Sequence, residues 1–122
     1  MDRSLTAPGQ FDYDYVNDIL FFKVKERNYS YSMELENLVI DFDEENYVVG
    51  IQFFNASTIF GISKNYLKDL KHFQFTATIK NNILRFVLDF KIISRNRVIQ
   101  HRPIIFQPVG NNIPNSQLTC TV

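Results

Sequence analysis

Apolar and polar residues alternate with a period of two along much of this chain of 122 residues, a pattern typical of half-buried β-strands. In residues 29–37, for example, Tyr29, Tyr31, Met33 and Leu35 fall on one face, and serine and glutamate fall on the other. These segments are also rich in β-branched and aromatic residues, which strands prefer. The pattern predicts strands over residues 19–25, 29–37, 38–42, 47–54, 71–80, 83–93 and 98–109.

A polar interruption at residues 43–46 separates two of these apolar runs, and it predicts a hairpin over residues 38–54 with an acidic turn. Gly50 lies inside the second strand of that hairpin. A glycine at such a position indicates a β-bulge or a close approach of another backbone segment.

Two short helical segments are predicted between the strands, over residues 56–61 and 64–70. Asn55 or Ser57 is suited to cap the first segment and Ser63 the second, because their side-chain oxygens can accept the first backbone N–H groups of a helix.

The last three predicted strands form a β-meander. Asn81 and Asn82 predict a type I′ turn, because asparagine tolerates the positive φ that this turn needs. Residues 94–97 predict the next turn. Pro103 has no N–H to donate, so it places the last strand at an edge of the sheet.

These elements predict a mainly β fold with a minor α+β character. It is built from antiparallel β-hairpins and a C-terminal three-stranded meander, with one or two short helices between them. We expect one β-rich domain over residues 10–109, made of a first half (10–57), short helices (58–70) and the meander (71–109). A flexible N-terminal tail (1–9) and a polar C-terminal tail (110–122) are expected to flank it.

The chain has no net charge, but its halves carry opposite charge: residues 1–60 sum to −7 and residues 61–122 sum to +7. Two interpretations remain open. The halves face each other within one fold, which is favoured because single-sign surface fields are unusual. Alternatively, the asymmetry serves self-association or an acidic partner that meets a basic surface.

The single cysteine, Cys120, cannot form an internal disulfide, and no Cys/His spacing typical of zinc sites is present. The first ten residues lack the apolar segment of a secretory signal. No stretch reaches the roughly 18 apolar residues of a membrane-spanning helix. We therefore expect a cytoplasmic protein without membrane association.

Four carboxylates at positions 41, 43, 44 and 45 resemble the start of a calcium-binding loop. Such a loop needs a glycine at its sixth position and a glutamate at its twelfth, and this chain has Asn46 and Gln52 there. A solvated hairpin turn is the preferred interpretation, and a metal-binding function of the acidic half is a weaker alternative.

A second acidic group consists of Asp12, Asp14 and Asp18, with Glu34 in a neighbouring predicted strand. Paired carboxylates can perform acid–base chemistry, but nothing in their spacing brings these together.

His72 and His101 lie in separate strands, and both are interpreted as surface residues. The sequence shows no Ser-His-Asp pattern, nucleophile elbow or Gly-rich phosphate loop. We therefore expect a protein that is not an enzyme and has no catalytic residues, metal ligands or cofactor.

Basic residues are concentrated among the phenylalanines of the C-terminal half. A sheet that presents cations and aromatic rings can contact phosphates and stack bases, so a nucleic-acid-binding protein is the alternative function. The candidate contacts to a nucleic acid or an acidic partner are Lys80, Arg85, Lys91, Arg95, Arg97 and Arg102.

The strand predicted over residues 83–93 is apolar on one face and partly apolar on the other. If this surface is exposed, a second copy of the chain is its commonest cover. In the other interpretation, the stripe packs on the N-terminal sheet and the short helices. The two interpretations are compatible, with one face in the internal core and the other toward a partner. The candidate interface residues are Leu84, Phe86, Val87, Leu88, Phe90, Ile92 and Ile93. The preferred function is accordingly a protein-interaction or oligomerisation module that forms a homodimer. An unidentified protein partner is a further possibility.

Residues 11–57 resemble the prokaryotic, largely archaeal domain of unknown function family 2283. The resemblance extends through the Gly-Ile-Ser-Lys segment at residues 61–64 to about residue 105. The matching positions are Tyr13-Asp14, Ile19 to Phe22, Ser32 and Glu34, Asp41 and Asp43, Gly50-Ile51, and Ala56-Ser57.

This resemblance implies the fold of the family and no established activity. Some members look like the second partner of small toxin–antitoxin gene pairs, which implies an antitoxin-like role as a further, weaker alternative. Two positions depart from the family pattern: Gln52 replaces the usual acidic residue after Gly-Ile, and Asn46 stands where the family often has glycine.

Overall fold

The structure is a computed structural model of the chain, and it describes residues 3–70, 73–110 and 112–122. The described residues form ten strands and two short helices. In chain order these are β1 (Arg3–Asp14), β2 (Ile19–Val24), β3 (Tyr31–Glu34), β4 (Leu38–Phe42), β5 (Val48–Phe54), α1 (Ala56–Phe60), α2 (Lys64–Leu67), β6 (Phe73–Lys80), β7 (Ile83–Ser94), β8 (Arg97–His101), β9 (Ile104–Pro108) and β10 (Ser116–Thr121).

All ten strands belong to one sheet with the order β3-β4-β5-β2-β1-β10-β6-β7-β8, and β9 also pairs with β7. The β1–β10 pair is parallel, and the other pairs formed by the described residues are antiparallel. The predicted mainly β fold with short helices is confirmed.

The sheet folds over on itself, and aromatic contacts show where its halves meet. Because neighbouring strands lie about 4.8 Å apart, β5 and β7, five steps apart in the order, would be separated by about 24 Å in a flat sheet. The ring centroids of Phe53 on β5 and Phe86 on β7 are nevertheless only 4.9 Å apart. Phe22 on β2 likewise lies 5.1 Å from Phe75 on β6. The inner faces of the two halves therefore enclose one core.

The helices close this core at one end. Phe60 of α1 packs edge-on against Phe53, with ring centroids 4.9 Å apart, and Leu67 of α2 is fully buried. Full burial of such a side chain contributes about 1.5–3 kcal/mol relative to exposure, so these two short helices are held by packing more than by their own length.

Strands occupy much of the described part of both segments predicted to be tails (1–9 and 110–122), which corrects that expectation. The first half of β1, Arg3–Pro8, pairs with β10, and β10 lies between β1 and β6 in the middle of the sheet. From Gly9 onward β1 pairs with β2 instead. Ser116, Leu118 and Cys120 are buried at alternate positions of β10, so a period-two signal was present, but the polar composition concealed it.

The predicted hairpin over residues 38–54 is confirmed as β4 and β5. Its register shifts next to the pair formed by Asp41 and Gly50, which confirms the irregularity predicted from the glycine. A Cβ at position 50 would lie 3.0 Å from the Oδ2 of Asp41 and 3.3 Å from the backbone oxygen of Phe22. A side chain at position 50 would therefore press on two neighbouring strands, and glycine avoids these tight contacts.

Both predicted helices are present but shorter than expected. Ser63 caps α2, since the backbone N–H of Asn65 donates to its hydroxyl oxygen at 3.3 Å. Asn55 occupies the N-cap position of α1, but its side chain makes no capping hydrogen bond. Neither helix has the length and apolar character needed to cross a membrane, and the same holds for every helix of the described residues.

The predicted meander is formed by β6, β7 and a last strand that is broken in two. β8 pairs with one end of β7 and β9 with the other, and Arg102 and Pro103 separate them. Within the described residues β8 and β9 pair with β7 alone, which agrees with the edge position predicted from Pro103. Asn81 and Asn82 have φ values of 51° and 63°, as the predicted type I′ turn requires.

Replacing Gly9 with alanine is expected to destabilise the fold, because a Cβ there would lie 2.1 Å from the Sγ of Cys120. Overpacking of this kind typically costs about 1–3 kcal/mol, and we expect the upper end of that range. Equilibrium urea unfolding of Gly9→Ala, Cys120→Ala and the double variant measures the effect. The double variant should lose less than the sum of the single losses, since the clashing sulfur is gone. Strictly additive losses would contradict this packing.

Candidate functional site

The end of β7 and the whole of β8 form a hairpin that we call the arm, residues 90–101. Its strands pair from Phe90 and His101 to Ser94 and Arg97. Successive residues of a strand point to opposite faces. Val98 and Ile99 are nevertheless 65% and 43% exposed. Exposure on both faces shows that the arm projects beyond the core of the chain.

A second exposed apolar group lies on the outer face of β7 and β9, next to the arm. Phe106 is 65% exposed, and Ile83 and Ile104 are about half exposed. Phe106 pairs with Arg85 and Ile104 with Val87, so these side chains share one face of the sheet. This edge of the molecule therefore combines apolar surface with cations.

The six predicted basic contacts are all exposed, namely Lys80, Arg85, Lys91, Arg95, Arg97 and Arg102. Lys91, Arg95 and Arg97 belong to the arm, and Arg102 follows it directly. Arg85 lies about 20 Å from Lys91 along β7, because a strand rises about 3.4 Å per residue. The structure thus brings four of the six together and leaves Lys80 and Arg85 toward the other end of the sheet.

Four of the predicted interface residues of β7 lie in the chain's own core, namely Leu84, Phe86, Leu88 and Phe90. Val87 is also buried, but it belongs to the outer face of β7, opposite Ile104. Phe86, for example, packs against Phe53 across the core. These buried side chains offer no surface to a partner, and the stripe packs on the N-terminal half of the sheet. Ile92 and Ile93 belong to β7, but their side chains lie outside the described ones.

The opposite charges of the two halves do not pair within the described part of the chain. The ion pairs found there join Arg27 to Asp43 and Arg27 to Glu45, and all three residues belong to the acidic half. The halves do face each other, as the favoured interpretation expected, but they meet through their apolar faces. The described cations of the basic half remain partly or fully exposed.

The acidic turn is organised around one buried carboxylate. Asp43 is only 5% exposed, and its Oδ1 accepts the backbone N–H groups of Glu45 and Tyr47 at 2.9 Å each. Its Oδ2 accepts a hydrogen bond from the Nε of Arg27 at 2.7 Å. The predicted hairpin turn is present, but its Asp43 is held by internal donors instead of solvent.

Two arginines flank the ring of Tyr47 beside this turn, with guanidinium carbons 4.6 Å (Arg3) and 5.3 Å (Arg27) from the ring centroid. Arg3 also donates to the backbone oxygens of Glu45 and Asn115. This cluster ties the acidic turn to β1 and to the segment before β10. Sequence reasoning missed it because Arg3 lies in a segment taken for a tail.

The described residues contain no group of three or more His, Cys, Asp or Glu side chains that could hold a metal ion. The carboxylates considered for acid–base chemistry are also separated, since Glu34 lies on β3, four strands away from Asp12 and Asp14 on β1. His101 stacks on Phe90 with ring centroids 5.5 Å apart. His72 lies outside the described residues.

Asp18, in the turn between β1 and β2, supplies the cap that α1 lacks. Its carboxylate accepts the backbone N–H of Ser57 at 3.1 Å, and it accepts the hydroxyl groups of Ser57 and Tyr13 at 2.6 Å each. Burial raises the pKa of Asp18, but hydrogen bonds from Ser57 and Tyr13 outweigh it, so the pKa lies below its ordinary value. Burial and the bond to Asp18 also raise the pKa of Tyr13.

A surface cleft lies beside residues 26–29. It consists of two cavities of about 590 and 350 Å³ that share Arg27, Asn28 and Tyr29. Lys23 and Asp41 line the larger cavity, and Glu44 and Glu45 line the smaller one. The cleft mixes both signs of charge, and its polar groups define no single ligand.

Comparison with known proteins identifies the family of this chain. The family model described as "Protein of unknown function (DUF2283)" matches residues 10–57. The uncharacterized protein MJ0789 of Methanocaldococcus jannaschii is 30% identical over 97 residues, which cover 79% of this chain and 84% of that protein. The chain belongs to this family of proteins of unknown function, and the resemblance stated from its sequence is confirmed.

A relative from Methanosarcina mazei is 26% identical over 97 residues, which cover 80% of this chain and 79% of the relative. That protein is named "Putative hypoxanthine phosphoribosyltransferase". No solved structure matches the chain.

Many positions that carry the family resemblance fall in the networks described above. Tyr13 and Ser57 meet at Asp18. Ser32 donates to Asp41 at 2.6 Å, and Asp41 lies against Gly50. These positions therefore take part in contacts that hold neighbouring strands and α1 together. Asn46, which stands where the family often has glycine, adopts a positive φ of 64°.

Replacing Arg27 with methionine is expected to lower the free energy of unfolding by about 3 kcal/mol, since Asp43 would remain buried without its cation. Urea unfolding measures the loss, and the Arg27→Met/Asp43→Asn double variant should recover part of it. Lys25→Met, which removes an exposed cation two positions earlier, is the control and should change stability little. Equal losses for the two methionine variants would refute this role of Arg27.

Asp18→Asn is expected to destabilise the protein in a pH-dependent way. Because the folded pKa of Asp18 is lowered, its stabilisation is complete above the unfolded pKa of about 3.9 and is lost as the pH falls through the lower folded value. The stability difference between wild type and variant should therefore shrink from about pH 6 to pH 2. Urea unfolding across this range measures it, with the exposed Asp69→Asn as a control. A difference that is constant with pH would count against the cap.

Proposed function

We propose that this chain is a non-enzymatic protein-interaction module that assembles as a homodimer through the arm. The observation that carries the proposal is the exposure of Val98 and Ile99 on opposite faces of one edge strand. An edge strand with exposed apolar residues invites pairing with another chain unless something covers it.

The surroundings of the arm support an interface there. Phe106 and Ile104 extend the apolar surface along β9, and Arg95 and Arg97 stand at the tip of the arm. A contact surface with an apolar centre and a charged rim is the usual anatomy of protein interfaces. The buried face of β7 no longer supports this function, because the core of the chain occupies it.

The name of the Methanosarcina mazei relative does not lead us to propose transferase chemistry for this chain. Phosphate-binding loops place several glycines close together so that backbone N–H groups can surround the phosphate. The four glycines of this chain are isolated from one another at positions 9, 50, 61 and 110. The clustered carboxylates are also used in structural contacts, as Asp18 and Asp43 show.

Nucleic-acid binding is a second candidate function, favoured by one observation. Arg95, Arg97 and Arg102 are exposed and form no ion pair within the described residues, and the exposed ring of Phe106 lies on the neighbouring β9. Cations beside an exposed aromatic ring can bind a single strand. We rank it second because no recognised nucleic-acid-binding motif accompanies them.

Light scattering behind a sizing column should give the mass of two chains for the wild type and of one chain for Val98→Asp/Ile99→Asp. The charged pair disrupts an apolar contact without touching the core, since both side chains are exposed. Val16→Asp is the control, because Val16 is 83% exposed in the turn between β1 and β2 and belongs to neither strand of the arm. A wild type that has the mass of one chain at every concentration would refute the dimer.

The two candidate functions respond differently to loss of the cations Arg85, Lys91, Arg95 and Arg97. If the basic surface binds nucleic acid, replacing all four with alanine should weaken binding to a labelled single-stranded oligonucleotide. It should also reduce the salt dependence of binding, by about 0.7 in logarithmic slope for each lost phosphate contact. No binding of wild type at low salt would remove the second candidate.

A further inference from the structure

We infer that β8 of one copy pairs with the edge strand β3 of a second copy, and that β8 of the second copy pairs in the same way with β3 of the first. This inference rests on the proposed dimer and names the surface that receives the arm. It follows from four features of the structure: two open edges, their charges, their apolar residues and their position at the two ends of the strand order.

The first feature is the pair of open edges. Within the described residues, β8 is hydrogen-bonded only to β7, and β3 only to β4. In an antiparallel ladder, alternate residues turn their backbone N–H and C=O groups away from the partner strand. Each edge therefore presents a row of unused donors and acceptors that a strand from another chain can satisfy.

The second feature is charge. Arg95 and Arg97 lie at one end of β8 and Arg102 follows its other end, and all three are exposed. At β3, Glu34 and Glu36 are exposed at one end. Because both ends of β8 are basic, either direction of pairing can place a cation near these carboxylates.

The acidic turn adds negative charge at the other end of β3. The hydroxyl of Tyr31, the first residue of β3, donates to the side chain of Asn46 at 2.5 Å. This bond places the turn with its exposed Glu44 and Glu45 next to that end of the strand. The β3 edge is therefore acidic at both ends and the β8 edge is basic at both ends. Pairing β8 of one copy with β3 of another brings opposite charges together, whereas pairing two β3 edges or two β8 edges would bring like charges together.

The third feature is the apolar surface between these charges. Tyr29 is 65% exposed and Tyr31 is 37% exposed at the start of the β3 edge. Both rings fall on one face of the strand, so they can cover whichever of Val98 and Ile99 the pairing turns to that face, both of which the arm exposes. Tyrosine suits this position because its ring buries apolar surface while its hydroxyl keeps a polar partner, as Tyr31 does with Asn46.

The fourth feature is the position of the edges. The sheet folds over with β1 and β10 at the bend, so β3 and β8 are both far from the bend, at the two ends of the strand order. A Cβ on Gly110, shortly after β9, would lie 3.8 Å from the Cε of Met33 on β3, so β3 lies near the end of β7 that pairs with β9, while the arm extends from the opposite end of β7. A two-fold rotation can bring the arm of each copy against β3 of the other, and because both contacts are then made, the dimer is closed.

The test uses two charge-reversed chains and light scattering behind a sizing column. The edge variant is Glu34→Lys/Glu36→Lys, and the arm variant is Arg95→Glu/Arg97→Glu. Each alone should weaken the dimer at least tenfold, because like charges would meet at both contacts of the pair. An equimolar mixture should restore the wild-type mass. In the mixed dimer the native arm of the edge variant meets the native β3 edge of the arm variant, and the two charge-reversed surfaces meet at the other contact, so both contacts join opposite charges.

Lys25→Glu/Lys80→Glu reverses two exposed cations away from both edges and serves as the charge-matched control, which should remain dimeric. Circular dichroism shows whether each variant is folded, and recovery on mixing cannot come from chains that have lost their fold.

The outcomes separate this inference from the proposed function. If the edge variant stays dimeric while Val98→Asp/Ile99→Asp is monomeric, the arm meets some other surface, so the inference fails and the proposed module stands. If the edge variant and the arm variant are both monomeric and remain so when mixed, the reciprocal contact is wrong. If the wild type itself is monomeric at every concentration, the proposed dimer fails first.

Discussion

Burial of Phe22 between the two halves of a single sheet is the interaction on which the rest of the structure depends. Its ring lies within 5.6 Å of the rings of Phe73, Phe75 and Phe86 from one half, and 6.1 Å from that of Phe53 in its own half. Each aromatic pair contributes about 0.5–1.5 kcal/mol beyond the area it buries. These contacts require the sheet to bend sharply, and β1, which belongs to both halves, is where it bends.

The charge layout of the molecule follows from this topology. β1 to β5 come from the first half of the sequence and occupy one side of the strand order, and β6 to β10 occupy the other. The opposite charges of the sequence halves therefore become opposite charges of the two sheet halves. Since apolar side chains fill the space between the layers, charged groups remain on the outer faces and the two edges. The same chain thus carries an acidic edge and a basic edge.

Features that depend on neighbouring residues were readable from the sequence, and features that depend on distant ones were not. Gly50 and Asn81-Asn82 indicate a bulge and a turn through backbone geometry alone, and both are present. The cap of α1 depends instead on Asp18, which comes from a turn almost forty residues before Ser57. The role of Arg27 could not be predicted from the sequence either, because only the folded chain shows that it neutralises Asp43. Only part of the candidate site could be predicted from the sequence. Its cations were identified, but the exposure of Val98 and Ile99 depends on where the core ends in the folded chain.

The pairing of β1 with β10 has a consequence for the order in which the chain can fold. Arg3 aligns with Ser116, so the bend of the sheet is completed only when the latest strand of the described chain inserts between β1 and β6. Contacts between residues so far apart in sequence slow folding, because a large loop must close before they form. During synthesis on the ribosome, the hairpins of the first half would emerge early and wait with their phenylalanine-lined face uncovered. This interval is when the chain is most exposed to aggregation and most in need of a chaperone.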